Sequence, residues 1–173
     1  MLLVFTGDGK GKTTAAIGHG IRALGQGKRV FMIQFIKSRS YQSGEDIILS
    51  RLGKRFVFKK GGRGFVGILG DMLPRQVHRA AALKTLAEGE RALRSKKYDL
   101  VILDEINVAL TLKLIPKARV LKLMHTVPEG VDLVLTGRGA PREMEVRADL
   151  VTRCEDVKHP YHWGAKARKG IEY

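Results

Sequence analysis

Cysteine is nearly absent from this chain. Cys154 is the single one among 173 residues, which excludes an internal disulfide framework. No apolar run approaches the ~20 residues of a membrane span. No basic region precedes the first apolar stretch, so no signal peptide is expected and the chain reads as soluble and cytoplasmic. Acidic residues are also scarce: 17 Asp and Glu stand against 32 Lys and Arg, for a formal net charge of +15. Such an excess fits nucleic acid, an anionic small substrate, or a general habit of the source organism. Long blocks of like charge are missing, and the densest clusters are Lys54-Arg55, Lys59-Lys60-Arg63, Lys96-Lys97 and Lys166-Arg168-Lys169. Most of these read as solvated surface. For Lys59 to Arg63, flanked by glycines, an anion-facing role and a solvated one both stand. Internal repeats, low-complexity linkers and domain boundaries are lacking as well, so residues 1–173 read as a single domain.

What is present begins at residue 2. Leu2-Leu3-Val4-Phe5 is an apolar strand that runs into Thr6-Gly7-Asp8-Gly9-Lys10-Gly11-Lys12-Thr13-Thr14, and a helical pattern follows. Glycines let the backbone curl so that several N–H groups face one anion, and the helix adds its positive N-terminal end. Lys12 would reach the β- and γ-phosphates of a nucleotide, and the Thr13 hydroxyl would ligate magnesium. The usual spacing places a glycine at position 6, where this chain has Thr6; Gly7 and Gly9 supply the flexibility instead. The competing reading is an ordinary glycine-rich turn between strand and helix.

The rest of the chain alternates strand and helix patterns. A helix is expected from Thr13 to about Leu24, stopped by Gly25-Gln26-Gly27, and then a buried strand over Val30–Ile36. This unit requires parallel strands. A short helix over Glu45–Leu52, a strand over Arg55–Phe58 and an irregular glycine-rich segment over residues 59–70 follow. A long helix from Pro74 to Ser95 leads to a strand, Asp99–Glu105. Next come a helix over Pro116–Thr126, a strand over Val131–Thr136, a short helix over Pro141–Arg147 and a last strand over Leu150–Cys154. The tail from Glu155 to Tyr173 is polar and basic.

Ligands of an open parallel sheet sit at the carboxyl ends of its strands. Three polar turns fall there: Gly7 to Thr13, Asp104-Glu105-Ile106-Asn107 and Thr136-Gly137-Arg138-Gly139. Of Asp104 and Glu105, one carboxylate would hold the metal and the other would assist it; a helix N-cap is the alternative. Arg138 between two glycines suits a phosphate clamp, with an ordinary surface arginine as the alternative. His19, His78 and His125 have no partners at metal-ligand spacing and read as structural. His159 and His162, with Tyr161 and Trp163, suit either stacking on a ring or local packing. Cys154 reads as a small core residue.

Five collinear stretches resemble the ATP:corrinoid adenosyltransferases of the phosphate-loop branch. They are Thr6–Ala16, Gln34-Phe35-Ile36-Lys37, Leu103-Asp104-Glu105-Ile106-Asn107, Leu135-Thr136-Gly137-Arg138-Gly139, and a C-terminal set. That set comprises Val157-Lys158-His159-Pro160-Tyr161, Gly164 and Lys169-Gly170-Ile171-Glu172-Tyr173. The resemblance implies a P-loop NTPase-like (RecA-like) α/β fold, a three-layer sandwich with a mostly parallel sheet. It also implies transfer of the 5′-deoxyadenosyl group of ATP to the cobalt(I) of a corrinoid, with release of triphosphate, in adenosylcobalamin biosynthesis or salvage. The site it implies holds ATP with Gly7, Asp8, Gly9, Lys10, Gly11, Lys12, Thr13, Thr14 and Arg138. Catalysis falls to Lys12, Thr13, Glu105 and Arg138. Magnesium or manganese falls to Thr13, Asp104 and Glu105, and the corrinoid to Gly64, Phe65 and Asn107. Further implications are a homodimer and an electron donor such as a reduced flavoprotein, with no membrane and no nucleic acid. In the family's corrinoid-facing loop an aromatic pair displaces the lower cobalt ligand. Phe65 matches the first aromatic, and Gly67 stands at the second. Phe56, Phe58 or Trp163 would then supply the missing ring, or that exclusion is lost; a core position for Phe65 is also open. Relatives carry a basic helical extension before the first strand, whereas this sequence starts at the strand, which implies a more open site or a different closure. The rival reading is a nucleic-acid-dependent ATPase of the recombinase type. It lacks support from a second domain or a basic–aromatic array. A non-catalytic carrier is the third reading, opposed by the set Lys12, Thr13, Asp104 and Glu105.

Overall fold

The computed structural model describes residues 1–38, 40, 42–68 and 70–171. Its strands are β1 (Leu2–Thr6), β2 (Val30–Gln34), β3 (Phe56–Lys60), β4 (Leu100–Asp104), β5 (Asp132–Thr136) and β6 (Leu150–Arg153). They form one sheet in the order β3-β2-β4-β5-β1-β6, and every pairing is parallel. The expectation of a mostly parallel sheet is thus met in full.

Side chains alternate across the sheet, as the two-residue period of a strand dictates. Leu3, Phe5, Val30, Met32, Leu100, Ile102 and Val134 enter one core, with Ala16 of α1 (Lys12–Gly25) and Leu49 of α2 (Gly44–Leu49). Leu2, Val4, Phe31, Ile33, Val101, Leu103, Leu133 and Leu135 enter the other. That second face is covered by α3 (Arg75–Arg94), α4 (Ile106–Thr111), α5 (Lys117–His125) and α6 (Arg142–Arg147). The result is the three-layer sandwich. Among the described residues, no helix is long and apolar enough to cross a membrane.

The differences from the sequence pattern are local. The β2 ladder ends at Gln34, although Phe35 and Ile36 remain buried. β3 runs on to Lys60, because Lys59 and Lys60 find acidic partners in Glu88 and Asp46, so the irregular segment starts at Gly61. Asp46 also completes a capping box with Ser43 at the start of α2, which ties that helix to the sheet edge. The turn after Asp104 is the start of an unforeseen helix, α4. Ile106, Ala109 and Leu110 bury at helical spacing, a signal too short to stand out in six residues. A 3-10 turn at Pro160–Trp163 lies within the tail. β6 ends at Arg153 and all four of its residues are exposed. Cys154 is therefore half-buried beyond a sheet edge, not in the core.

Candidate active site

The phosphate loop leaves β1 and enters α1 through Gly7 and Gly11, both at positive φ (94° and 108°). These are conformations that suit glycine. Gly9 has a different reason to be glycine. Its N–H donates to the Cys154 carbonyl at 2.8 Å, and a Cβ there would lie 2.3 Å from the Glu155 carbonyl oxygen. A Cβ at Gly7 would lie 2.4 Å from the Cys154 carbonyl oxygen. The chain following β6 therefore lies directly against the loop. We expect Gly9→Ala to push residues 154–155 off the loop, raising KM for ATP about tenfold and lowering Tm. Wild-type values of both would show that this contact has no hold on the loop.

Asp104 is the hub beneath the loop. It is fully buried at the end of β4, and its carboxylate accepts three hydrogen bonds. Thr13 Oγ1 donates at 2.9 Å, Thr136 Oγ1 at 2.6 Å and Gln34 Nε2 at 2.9 Å. The ends of β2, β4 and β5 and the start of α1 are thereby tied at one point. Thr136 Oγ1 in turn accepts from the Glu105 N–H at 2.9 Å, which fixes the turn out of β4.

Glu105 takes a left-handed backbone (φ 62°, ψ 21°), uncommon for a side chain of its size. It is the N-cap of α4 but makes no side-chain cap bond, so capping does not explain it. Burial raises its pKa to about 7, and the neighbouring Asp104 carboxylate adds to the shift; Lys12, Lys37 and Arg138 oppose it. Lys12 is buried, and its ammonium donates to the Gly9 carbonyl at 2.5 Å. Burial lowers its pKa, and the nearby Arg138 lowers it further. Such perturbed groups mark a site built for charged ligands. Arg138 is exposed, between Gly137 (φ 123°) and Gly139 (φ 69°). Asn107 lies beneath this turn, fully buried, with Nδ2 donating to the Gly137 carbonyl at 3.0 Å. Its Oδ1 has no partner among the described residues.

Asp8, Lys10 and Thr14 lie exposed on the loop, with the Lys10 ammonium 3.4 Å from the Ile171 carbonyl. The tail thus reaches the loop, while Glu172 and Tyr173 of the C-terminal motif lie outside the described residues. Thr13, Asp104 and Glu105 offer only hard oxygen donors. That suits magnesium or manganese completed by phosphate oxygens rather than a softer metal. Among the described residues no three His, Cys, Asp or Glu side chains cluster as a metal site.

Beside this charged centre lies a cavity of about 370 Å³. Its wall includes Lys37, Gly64, Phe65, Ile68, Met72 and Leu73. Phe65 is 44% exposed, so it is not a core phenylalanine. Gly67 adopts φ 70° and donates its N–H to Asp71 Oδ2 at 2.8 Å, so the position of the missing aromatic is a tight turn. Phe56 is buried in the core, which removes it as a substitute ring. Ile68, Met72 and Leu73, aliphatic side chains that the sequence reading passed over, complete the apolar wall. Asp71 holds the segment in shape. Its carboxylate also accepts from Leu73 N, and it pairs with the buried His78 at 2.9 Å. The Gly67 and Leu73 amides keep its pKa below the usual carboxylate range.

A parallel sheet with a phosphate loop at one strand end, an acidic pair two strands away and an arginine turn between them defines a nucleotide-binding protein of the phosphate-loop class. The fold agrees with a KaiC-like protein from Pyrococcus horikoshii, at 19% identity and a TM-score of 0.56 over 99% of this chain and 74% of that one. The family model for the ATP:corrinoid adenosyltransferases BtuR/CobO/CobP matches residues 1–173. The corrinoid adenosyltransferase CobA of Salmonella typhimurium is 35% identical over the whole of this chain and 85% of its own length. That of Pseudomonas aeruginosa is 37% identical, over 83% of its own length. The chain belongs to the ATP:corrinoid adenosyltransferase family, and is a transferase.

Proposed function

We propose that this chain transfers the 5′-deoxyadenosyl group of ATP to the cobalt(I) of a corrinoid, with the residues above in the following roles. The observation that carries the reading is the juxtaposition of a cationic phosphate loop with an open apolar cavity at the same sheet edge. Lys12, Arg138, Lys10 and the backbone N–H groups of residues 7–13 hold the triphosphate. Thr13 and Glu105 hold magnesium or manganese, which supplies charge neutralisation to the phosphates. Asp104, its oxygens already engaged by three donors, orients Thr13 and reaches the metal through water. Gly64 and Phe65 face the corrinoid, and Asn107 supports the turn that carries Arg138.

The nucleophile belongs to the substrate, so no Ser–His or Cys–His pair is needed. The cobalt(I) electron pair forms the cobalt–carbon bond to C5′. The C5′–oxygen bond breaks, and its electron pair leaves with triphosphate. The protein's work is to place C5′ over the cobalt and to stabilise the polyanionic leaving group. Lys12 and Arg138 match the second task, since both present positive charge beside a site from which burial excludes water. A single domain over residues 1–173, a cytoplasmic homodimer and a reduced flavoprotein as electron donor complete the proposal.

The test is an anaerobic reaction of purified protein with ATP, magnesium and chemically reduced cobalamin, followed through the corrin absorbance. A light-sensitive adenosylcorrinoid and one triphosphate per turnover are expected. ATP hydrolysis to ADP stimulated by DNA, with no corrinoid product, would overturn the reading.

A further inference from the structure

We propose that a second cavity, next to the apolar one, is a recognition subsite for an anionic group on the corrinoid periphery, with Arg63 and Lys84 as its contacts. The inference rests on the corrinoid-site reading above and names the substrate chemistry that site prefers.

The second cavity measures about 550 Å³ and shares Ser38, Ser40, Arg63 and Leu73 with the first, so the two adjoin. Its other wall comes from Lys60, Gly61, Gly62 and, on α3, Lys84, Thr85 and Glu88. Most charges here are already spoken for. The Lys60 side chain is 5% exposed and bonds Asp46, and Glu88 bonds Lys59. Arg63 and Lys84 form no ion pair among the described residues, and both are exposed. The cavity therefore presents two uncompensated cations from two different elements.

Arg63 is also held in place. The Gly61 N–H donates to the Gln34 carbonyl at 2.9 Å and the Gly64 N–H to the Ile36 carbonyl at 3.0 Å, one on either side of it. A Cβ at Gly61 would lie 2.0 Å from Thr85 Oγ1, and one at Gly62 would lie 2.1 Å from the Ile36 carbonyl oxygen. The backbone before Arg63 thus crosses α3 and the end of β2 at a distance only glycine allows. Arg63 is planted at the boundary of the two cavities instead of riding a loose loop. A guanidinium so placed takes a carboxylate or phosphate through paired hydrogen bonds, and Lys84 adds a point charge.

A corrin ring seated against Phe65 carries acetate and propionate side chains around its rim. Those chains are carboxylates in early corrinoids and amides in later ones, and the complete cofactor adds a phosphodiester. Either anion supplies the charge the subsite needs. The contact lies away from the reacting cobalt, so it acts equally on ground and transition states. It shifts KM, not kcat.

The experiment compares wild type with Arg63→Gln/Lys84→Gln on three reduced corrinoids: cobyrinic acid a,c-diamide, which keeps free carboxylates; cobinamide, whose side chains are amides; and cobalamin, which carries the phosphodiester. The ratio of kcat/KM for the carboxylate substrate to that for cobinamide is expected to fall about tenfold, through KM. A fall confined to the cobalamin-to-cobinamide ratio would assign the subsite to the phosphodiester. If neither ratio changes, the proposal is overturned. Phe65→Ala, run in parallel, separates the two levels. It raises KM for all three corrinoids if the apolar cavity is the corrinoid site, and unchanged values would remove that reading with the subsite.

Discussion

Lys12→Met is expected to abolish adenosyl transfer while leaving the fold at least as stable as wild type. The loss should be on the order of 10³-fold or more in kcat/KM, about 4 kcal/mol of transition-state stabilisation, the scale of a main electrostatic contact to a developing anion. The stability half follows from the same burial. Lys12 is 7% exposed, and burial together with Arg138 lowers its pKa, so the folded chain carries its charge at a cost. Its bond to the Gly9 carbonyl and its attraction to Glu105 offset part of that cost. Methionine keeps the apolar stem and removes the charge. Thermal unfolding and the anaerobic transfer assay, run on one preparation, check both halves. A variant with wild-type kcat/KM would sink the phosphate-site assignment.

The second large effect is a pH dependence. The folded-state pKa of Glu105, about 7, lies above its ordinary value of 4.5. Between those two values the folded protein keeps a proton that the unfolded chain has lost. Stability therefore falls as pH rises through this window and is flat on either side of it. The contribution is on the order of 3 kcal/mol at most. Urea titrations of the protein without magnesium or ATP, at pH 4.5, 6 and 8, should show this decline superimposed on the other titrating groups. Glu105→Gln should remove it and should lower kcat about 100-fold. Excess magnesium and ATP should flatten the decline in wild type, because a bound cation favours the ionised carboxylate. An identical pH profile for wild type and Glu105→Gln would show that Glu105 titrates as an ordinary surface acid.

Much of this was legible in the sequence because it is written in contiguous residues. The apolar runs ending in Thr6, Asp104 and Thr136 announce strands buried on both faces, with polar groups at their carboxyl ends. The glycines from Gly7 to Gly11 and the Gly137-Arg138-Gly139 turn announce the loops between. Where the reading fell short, the signal was short or distant. The six residues of α4 are too few to establish a helical period. Cys154 looked like a strand-end core residue because nothing nearby in sequence says that β6 is an exposed edge. Ile68, Met72 and Leu73 sit among glycines and polar residues without a period, so their shared wall emerges only when Asp71 and His78 close the segment.

By itself the sequence determined the succession of strands and helices, the phosphate loop, the acidic pair and the family. Each is encoded within a few adjacent residues, where local sterics and periodicity act. Only the tertiary structure decided the lateral order of the strands, since strands buried on both faces carry similar apolar patterns and their neighbours are chosen by packing. That order inserts β5 between β1 and β4. It brings Thr136 onto Asp104 from 32 residues away and Thr13 onto it from 91. It also lays Cys154 and Glu155 across the phosphate loop at a distance that only glycine allows.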